Sequence, residues 1–175
     1  MTEARGPTIL HVVVMGVSGC GKTTVAEALR DRLGLAFAEG DAYHPQANVD
    51  KMASGQPLTD DDRQPWLEAL VAWTQEQEAE GKSTVLSCSA LRRRYRDVLR
   101  GADPDTFFVH LHADFDVLAE RMRHRAHFMP LSLLQSQFDT LEPLADGELG
   151  VQVDVMPPVD EVVAATEAAI RPRLP

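Results

Sequence analysis

Residues 16–23 read GVSGCGKT, and these positions decide the fold. The string matches GxxxxGK followed by Ser or Thr. It stands between an apolar run, Ile9 to Met15, and an amphipathic stretch carrying Val25, Ala28, Leu29 and Leu33. A buried strand that turns through glycines into a helix is the setting in which this motif cradles phosphate. Gly16, Gly19 and Gly21, with Val17, Ser18 and Cys20 between them, allow backbone N–H groups to converge on phosphate oxygens. The helix that follows adds its positive end. Lys22 is expected to bridge the β- and γ-phosphates, Thr23 to offer its hydroxyl to Mg²⁺, and Thr24 to touch the α-phosphate. ATP and Mg²⁺ are therefore the expected cofactors.

On either side of the loop, strand and helix patterns alternate, as in a parallel sheet covered on both faces. Five strands are predicted: Ile9–Met15, Leu35–Glu39, Thr84–Cys88, Phe107–Leu111 and Val151–Val155. Helices are predicted at Thr23–Leu33, Asp60–Glu80, Leu91–Arg100, Phe115–Arg125 and Asp160–Ile170, the second with Trp66, Leu67, Leu70 and Trp73 on one face. The stretches His44–Asp62 and His124–Pro130 read as partly irregular excursions suited to covering a substrate. At 175 residues, the chain fits one α/β domain spanning 1–175.

The formal net charge of -10 argues against a general nucleic-acid or anionic-membrane surface. Yet eight of the fourteen arginines fall between Arg92 and Arg125, enough for a local basic pocket that takes a small anion. Two cysteines, Cys20 and Cys88, make no disulfide framework and have no zinc-site spacing, which fits a reducing, cytoplasmic compartment. The apolar run at Ile9–Met15 is too short to span a membrane and lacks the flanks of a signal peptide. Oligomeric state stays open, a homodimer included. Cys20, inside a ring of N–H groups, is either a reactive thiol or a small filler; with no resolving cysteine nearby, filler is favoured.

No guanine-reading NKxD segment is present, since the nearest string is Asn48-Val49-Asp50-Lys51. AAA-type and motor ATPases usually show an apolar strand ending in Asp, whereas the third strand here ends in Ser87-Cys88-Ser89. Small-molecule kinases remain. From about Ile9 to Ile170 the sequence resembles the gluconokinases of the P-loop type. The resemblance is carried by the GVSGCGKT loop, by GDAYHPQANVDKMASGQPLTDDDRQPWL at 40–67, by CSALRRRYRD at 88–97 and by HFMPLSLLQSQFDTLEP at 127–143. It implies the fold of nucleoside-monophosphate and shikimate kinases, with strand order 2-3-1-4-5, and ATP-dependent phosphorylation of the terminal hydroxyl of D-gluconate. Cys20 stands where Ser is frequent in that family, and Ala126 where Gly often precedes the His-Phe pair. A kinase for another polar acid, such as shikimate, and a nucleotide-binding regulator are the rival readings.

Segment 41–66 is expected to bind the acceptor and 121–130 to form a lid. Asp41, at the carboxyl end of the second strand, sits where ligands of open α/β sheets collect and is expected to accept the proton of the attacking hydroxyl, although an Asp there also caps loops. His44, Asn48 and Lys51 share a face if their segment is helical, and that face suits a polyol. Asp60, Asp61 and Asp62 read as a helix cap, and Trp66 as core. By resemblance Arg63 sits in the acceptor pocket, where its guanidinium grips a carboxylate. Arg92 and Arg96 lie nearest the catalytic edge and are expected to contact substrate or phosphate, while Arg93 and Arg100 are assigned to the surface. Arg121 and Arg125 share a helix face, and by resemblance they close over the γ-phosphate. His127 is a candidate ligand or hinge. By resemblance, the Met156-Pro157-Pro158 turn lies against adenine, with Pro158 as the contact.

Overall fold

A computed structural model describes residues 9–124 and 130–175. Its centre is β1 (His11–Met15), every residue of which is buried. Because successive side chains of a strand point to opposite faces, Val12 and Val14 enter one core while Val13 and Met15 enter the other. Burying one such side chain contributes about 1.5–3 kcal/mol, so a strand apolar on both faces is most stable in mid-sheet.

The sheet is parallel throughout, in the order β2-β3-β1-β4-β5. The outer members are β2 (Ala36–Glu39), β3 (Thr84–Ser87), β4 (Phe107–His112) and β5 (Gly150–Asp154). This matches the expected order. One face is covered by α1 (Lys22–Leu33), α5 (Phe115–Arg123), α6 (Leu131–Thr140) and α7 (Val159–Ile170). The other carries α3 (Asp60–Ala79) and α4 (Arg93–Leu99), with Trp66, Leu67, Leu70 and Tyr95 against Val13, Met15 and Leu86.

Two helices exceed the expectation. The supposed excursion after His44 contains α2 (Gln46–Ala53), entered through Pro45, whose fixed φ suits a helix start. Likewise α6 follows Pro130 and buries Leu133 and Leu134. The start of α3 is a capping box: Asp62 N–H donates to Thr59 Oγ1 at 3.1 Å, and Thr59 N–H donates to Asp62 Oδ2 at 2.8 Å. Of the three aspartates, Asp62 thus does the capping by direct bonds. In Asp60 the carboxylate instead takes bonds from the Tyr95 hydroxyl and, at 2.6 Å, from Arg94.

Candidate active site

Parallel strands put all their carboxyl ends on one edge, and the loops leaving that edge build the site. From β1 the chain enters the loop at Gly16, whose φ is 144° and where a Cβ would stand 2.6 Å from the Leu111 carbonyl oxygen. Only glycine fits there. Gly21 caps α1 with a positive φ of 95° and no side-chain bond, so no capping side chain competes with a ligand for the helix's first N–H groups. Lys22 Nζ donates to the Val17 carbonyl at 3.1 Å. A small pocket of about 160 Å³ follows, lined by the loop together with Thr23, Glu39 and Asp41.

Glu39 was not among the expected site residues. Thr23 Oγ1 donates to its Oε2, and Ser87 Oγ donates to its Oε1 at 2.7 Å. The β2–β3 register sets Glu39 directly beside Ser87. The third strand, which ends without an acid, thus has a carboxylate beside its end, brought there by the neighbouring second strand. The sequence held a signal for it: two acids, Glu39 and Asp41, flank one glycine at a strand end. Gly40 is forced by crowding, since a Cβ there would lie 2.2 Å from the Ser87 carbonyl oxygen. The indole Nε1 of buried Trp66 donates to the Gly40 carbonyl at 2.7 Å and holds the turn from below.

Beside this pocket is a cavity of about 280 Å³, and Ser18, Lys22 and Asp41 line both. Its wall also includes His44, Arg63 and Gln137. The His44 ring stacks on Trp66, centroids 4.1 Å apart and planes 18° apart. Burial lowers its pKa, Asp41 opposes that shift and Arg63 adds to it, so the imidazole is neutral at pH 7. Arg63 Nη1 donates to the Leu58 carbonyl at 2.6 Å and to the Tyr95 hydroxyl at 3.0 Å, and its guanidinium lies over the Tyr95 ring. Those contacts aim it at the cavity without consuming its charge.

Several expected residues sit elsewhere. Asn48 and Lys51 turn toward α3: Asn48 Nδ2 donates to the Asp62 carbonyl at 2.8 Å, and Lys51 Nζ to the Asp62 carboxylate at 2.7 Å. Lys51 and, after it, Thr59 hold the Asp62 carboxyl down at about 2. Asn48 and Lys51 clamp α2 onto α3, and the cavity wall is instead Val49 and Met52. Arg96 is corrected as well. It is fully buried, its guanidinium spent on Glu148 at 2.8 and 3.0 Å and on the Ala90 carbonyl at 2.9 Å. Nearness to the catalytic edge did not decide its target, because an Arg with a buried carboxylate partner belongs to the inside. Arg100, assigned to the surface, joins Glu148 too, at 2.5 Å. Through Ala90, the one described non-glycine residue with a positive φ, Arg96 supports the loop that presents Ser89 and Leu91 to the cavity. Arg92 caps α4 without a side-chain bond, and its buried Nε has no partner among the described residues.

A third cavity, of about 500 Å³, touches the other side of the phosphate loop and is lined by Thr24, Arg121, Val155 and Pro157. Arg121 Nη2 donates to the Val155 carbonyl at 2.8 Å, which sets it beside this apolar slot rather than beside Asp41. Pro157 lines the slot, while Pro158 serves as the cap of α7. Arg125 and His127 lie outside the described residues. Cys20 is buried in the core, as a filler would be, and burial pushes the Cys88 thiol up to about 12. Gln137, also missed, accepts a bond from the Ser18 N–H. It lies in the quoted 127–143 motif, but a lone Gln in a helix gives no local signal of its target.

Comparison with known proteins bears on this geometry. A family model described as AAA domain matches residues 12–128. That description rests on the shared P-loop core, and the relatives are small-molecule kinases, as the sequence reading expected. A gluconokinase of Gluconobacter oxydans (strain 621H) is 55% identical over 143 residues, covering 81% of this chain and 80% of that protein. A crystal structure of a gluconokinase from Sinorhizobium meliloti 1021 has 48% identity and a TM-score of 0.85, covering 97% of this chain and 95% of that one. An unliganded sugar kinase from Janibacter sp. HTCC2649 has 47% identity and a TM-score of 0.90, covering 94% and 95%. With relatives this similar along nearly its whole length, and with the phosphate loop and acid pair in place, the chain belongs to the gluconokinase family.

Proposed function

We propose that this protein transfers the γ-phosphoryl group of ATP to the terminal hydroxyl of D-gluconate, giving ADP and 6-phosphogluconate. The observation that carries the reading is the shared wall: Lys22 and Asp41 line both the phosphate pocket and the larger cavity, so a nucleotide and an acceptor meet at those two side chains. In that reading the hydroxyl oxygen attacks the γ-phosphorus and the bond to the β–γ bridging oxygen breaks. The hydroxyl proton passes to Asp41, and Lys22 swings from the Val17 carbonyl to the phosphates. Arg63 receives the gluconate carboxylate, and His44, Ser89 and Gln137 line the same cavity within reach of its hydroxyls, whereas Arg92, expected to contact substrate, is not among the lining residues. Arg121 and Pro157 border the slot assigned to adenine.

Thr23, Glu39 and Asp41 offer only oxygen donors around one small pocket, a set that fits Mg²⁺. Such an ion, bound with ATP, neutralises charge on the phosphate oxygens. Glu39 would orient it through Thr23 or through its water. ATP as donor and two buried thiols without a disulfide support a cytoplasmic place of action. Among the described residues no helix is long and apolar enough to cross a membrane.

The test is a coupled ADP-release assay with a panel of sugar acids and shikimate. Gluconate is expected to give the highest kcat/KM. Preference for shikimate or another acid would replace the acceptor but keep the kinase; ATP binding without transfer to any of them would overturn the reading.

A further inference from the structure

At the opposite edge of the sheet, His11, Glu78 and Asp103 converge from three separate elements: the first residue of β1, the last turn of α3 and the turn between α4 and β4. One donor atom from each lies within 4.8 Å of the others. His11 begins the strand that ends at the phosphate loop, so about 13 Å of extended chain separates this cluster from the catalytic edge. Nothing in the phosphoryl transfer uses it.

The His11 side chain is 2% exposed, and its Nε2 has no hydrogen-bond partner among the described residues. The other ring nitrogen is fixed: Nδ1 lies 2.8 Å from Thr84 Oγ1, itself buried. When Nδ1 carries the proton toward Thr84, Nε2 presents a bare lone pair to two carboxylates. Three negative ends facing one another call for a cation between them. A proton suits the gap poorly, because Nε2 and Glu78 Oε2 are 3.8 Å apart, beyond hydrogen-bond reach. Burial also favours the neutral imidazole, against the pull of Glu78 and Asp103. Two ligands of one tetrahedral ion stand roughly 3.4 Å apart, given bonds of about 2.0–2.2 Å. The His11–Glu78 pair therefore needs closure by about 0.4 Å, and the pairs with Asp103, which lie within 4.8 Å, by about 1.4 Å at most. An outer hydrogen bond that locks the ring, as Thr84 does here, is also the usual support of a metal-bound His.

We propose that His11, Glu78 and Asp103 form a second cation site that takes a divalent transition metal of the zinc type. An imidazole with two carboxylates selects such ions over Mg²⁺ or Ca²⁺, which prefer oxygen throughout. Asp103 has one carboxylate oxygen committed to the Asp105 N–H at 2.8 Å and the other available. Glu78 is partly exposed, so the ion has a path from solvent. Bound there, it ties the end of α3 and the α4–β4 turn to the start of the central strand, and stabilises the fold without entering the reaction.

The experiment titrates the full, chelator-treated protein, free of nucleotide, with Zn²⁺ and with Co²⁺ as a spectroscopic probe, following binding by calorimetry and stability by thermal melting. Because His11 is buried, the variants are the accessible Glu78→Gln and Asp103→Asn, each first shown to fold and to turn over normally. Expected are one equivalent bound by the unaltered protein, a rise in Tm with Zn²⁺, and affinity at least tenfold weaker in both variants with no rise in Tm. No binding up to millimolar metal would leave water to bridge these atoms and would overturn the site. Equal binding in variants and unaltered protein would overturn it too, by placing the ion at other carboxylates such as Glu39 and Asp41.

Discussion

Gln137 on α6 accepts a 2.7 Å hydrogen bond from the Ser18 backbone N–H, joining positions 119 residues apart in the chain. The bond pins the phosphate loop to a helix whose Leu133 and Ser136 also line the acceptor cavity. Removing it in Gln137→Ala is expected to lower kcat/KM for ATP by about 3- to 10-fold, the equivalent of about 0.5–1.5 kcal/mol. Gln137→Glu can accept the same bond but sets a negative charge against the phosphates, so its loss should exceed that of the alanine variant. Steady-state kinetics on the pair checks the order.

Lys22→Ala is expected to lower turnover by about three powers of ten or more with little change in Tm. Its one hydrogen bond in the structure, to the Val17 carbonyl, is partly exposed and contributes little to folding. Near-normal turnover in a folded variant would remove the phosphate loop from the mechanism.

Arg63→Ala should raise the gluconate KM by roughly 10- to 150-fold, as expected for a lost charge-assisted bond of about 1.5–3 kcal/mol, and should leave the ATP KM within about threefold. Because Arg63 also holds the Leu58 carbonyl and the Tyr95 hydroxyl, the variant should lose some stability as well. Equal effects on both substrates would mean that its role is confined to those two bonds.

Asp41→Asn keeps shape and still caps a turn. If Asp41 accepts the hydroxyl proton, kcat should fall by roughly two powers of ten, the low end for a lost general base, because the loose transition state needs little base catalysis. ATP affinity measured without gluconate should hold. Retention of more than half the turnover, a barrier change under about 0.5 kcal/mol, would take Asp41 off the catalytic list.

Glu148→Gln tests the buried clamp. Burial alone would push this carboxyl up, but bonds from Arg96, from the Ala145 N–H and from Arg100 outweigh it and hold it at about 2. A folded pKa below the unfolded one contributes stability that is present above about 4.5 and fades as pH falls toward 2. Replacement strands the Arg96 charge and should cost about 3–5 kcal/mol at pH 7, near 10 °C in Tm. Melts at pH 7, 5 and 3 should show the gap between the two proteins closing in acid; a constant gap would mean that Glu148 acts through packing alone.

The phosphate loop, the five strands and their order were legible because each is a local pattern or follows from a resemblance rooted in one: apolar runs, glycine spacing, a GK-Thr string. The acceptor side was read by residue type, and there the results split. Asp41, His44 and Arg63 reach the cavity, whereas Asn48 and Lys51 meet Asp62 on α3 and Arg96 meets Glu148 in the interior. A polar side chain on a short helix points toward a ligand or toward a partner depending on what the rest of the chain brings alongside. Glu148, 52 residues beyond Arg96, gives no hint of the pairing in sequence. Glu39 was passed over for a similar reason: the acid pair around Gly40 is visible in sequence, but its value comes from lying across from Ser87 and within reach of Thr23.

Gly40 has a consequence for how this enzyme can diverge. With the Ser87 carbonyl 2.2 Å from any added Cβ, and with Trp66 bonded to its own carbonyl, the position between the two acids is closed to the other nineteen amino acids. The spacing from Glu39 to Asp41 is thereby frozen for descendants of this sequence. New acceptor preferences must arise elsewhere in the cavity lining, at Val49, Met52 and Pro57, where the side chains are not buried and can change size while the phosphate-transfer edge stays as it is.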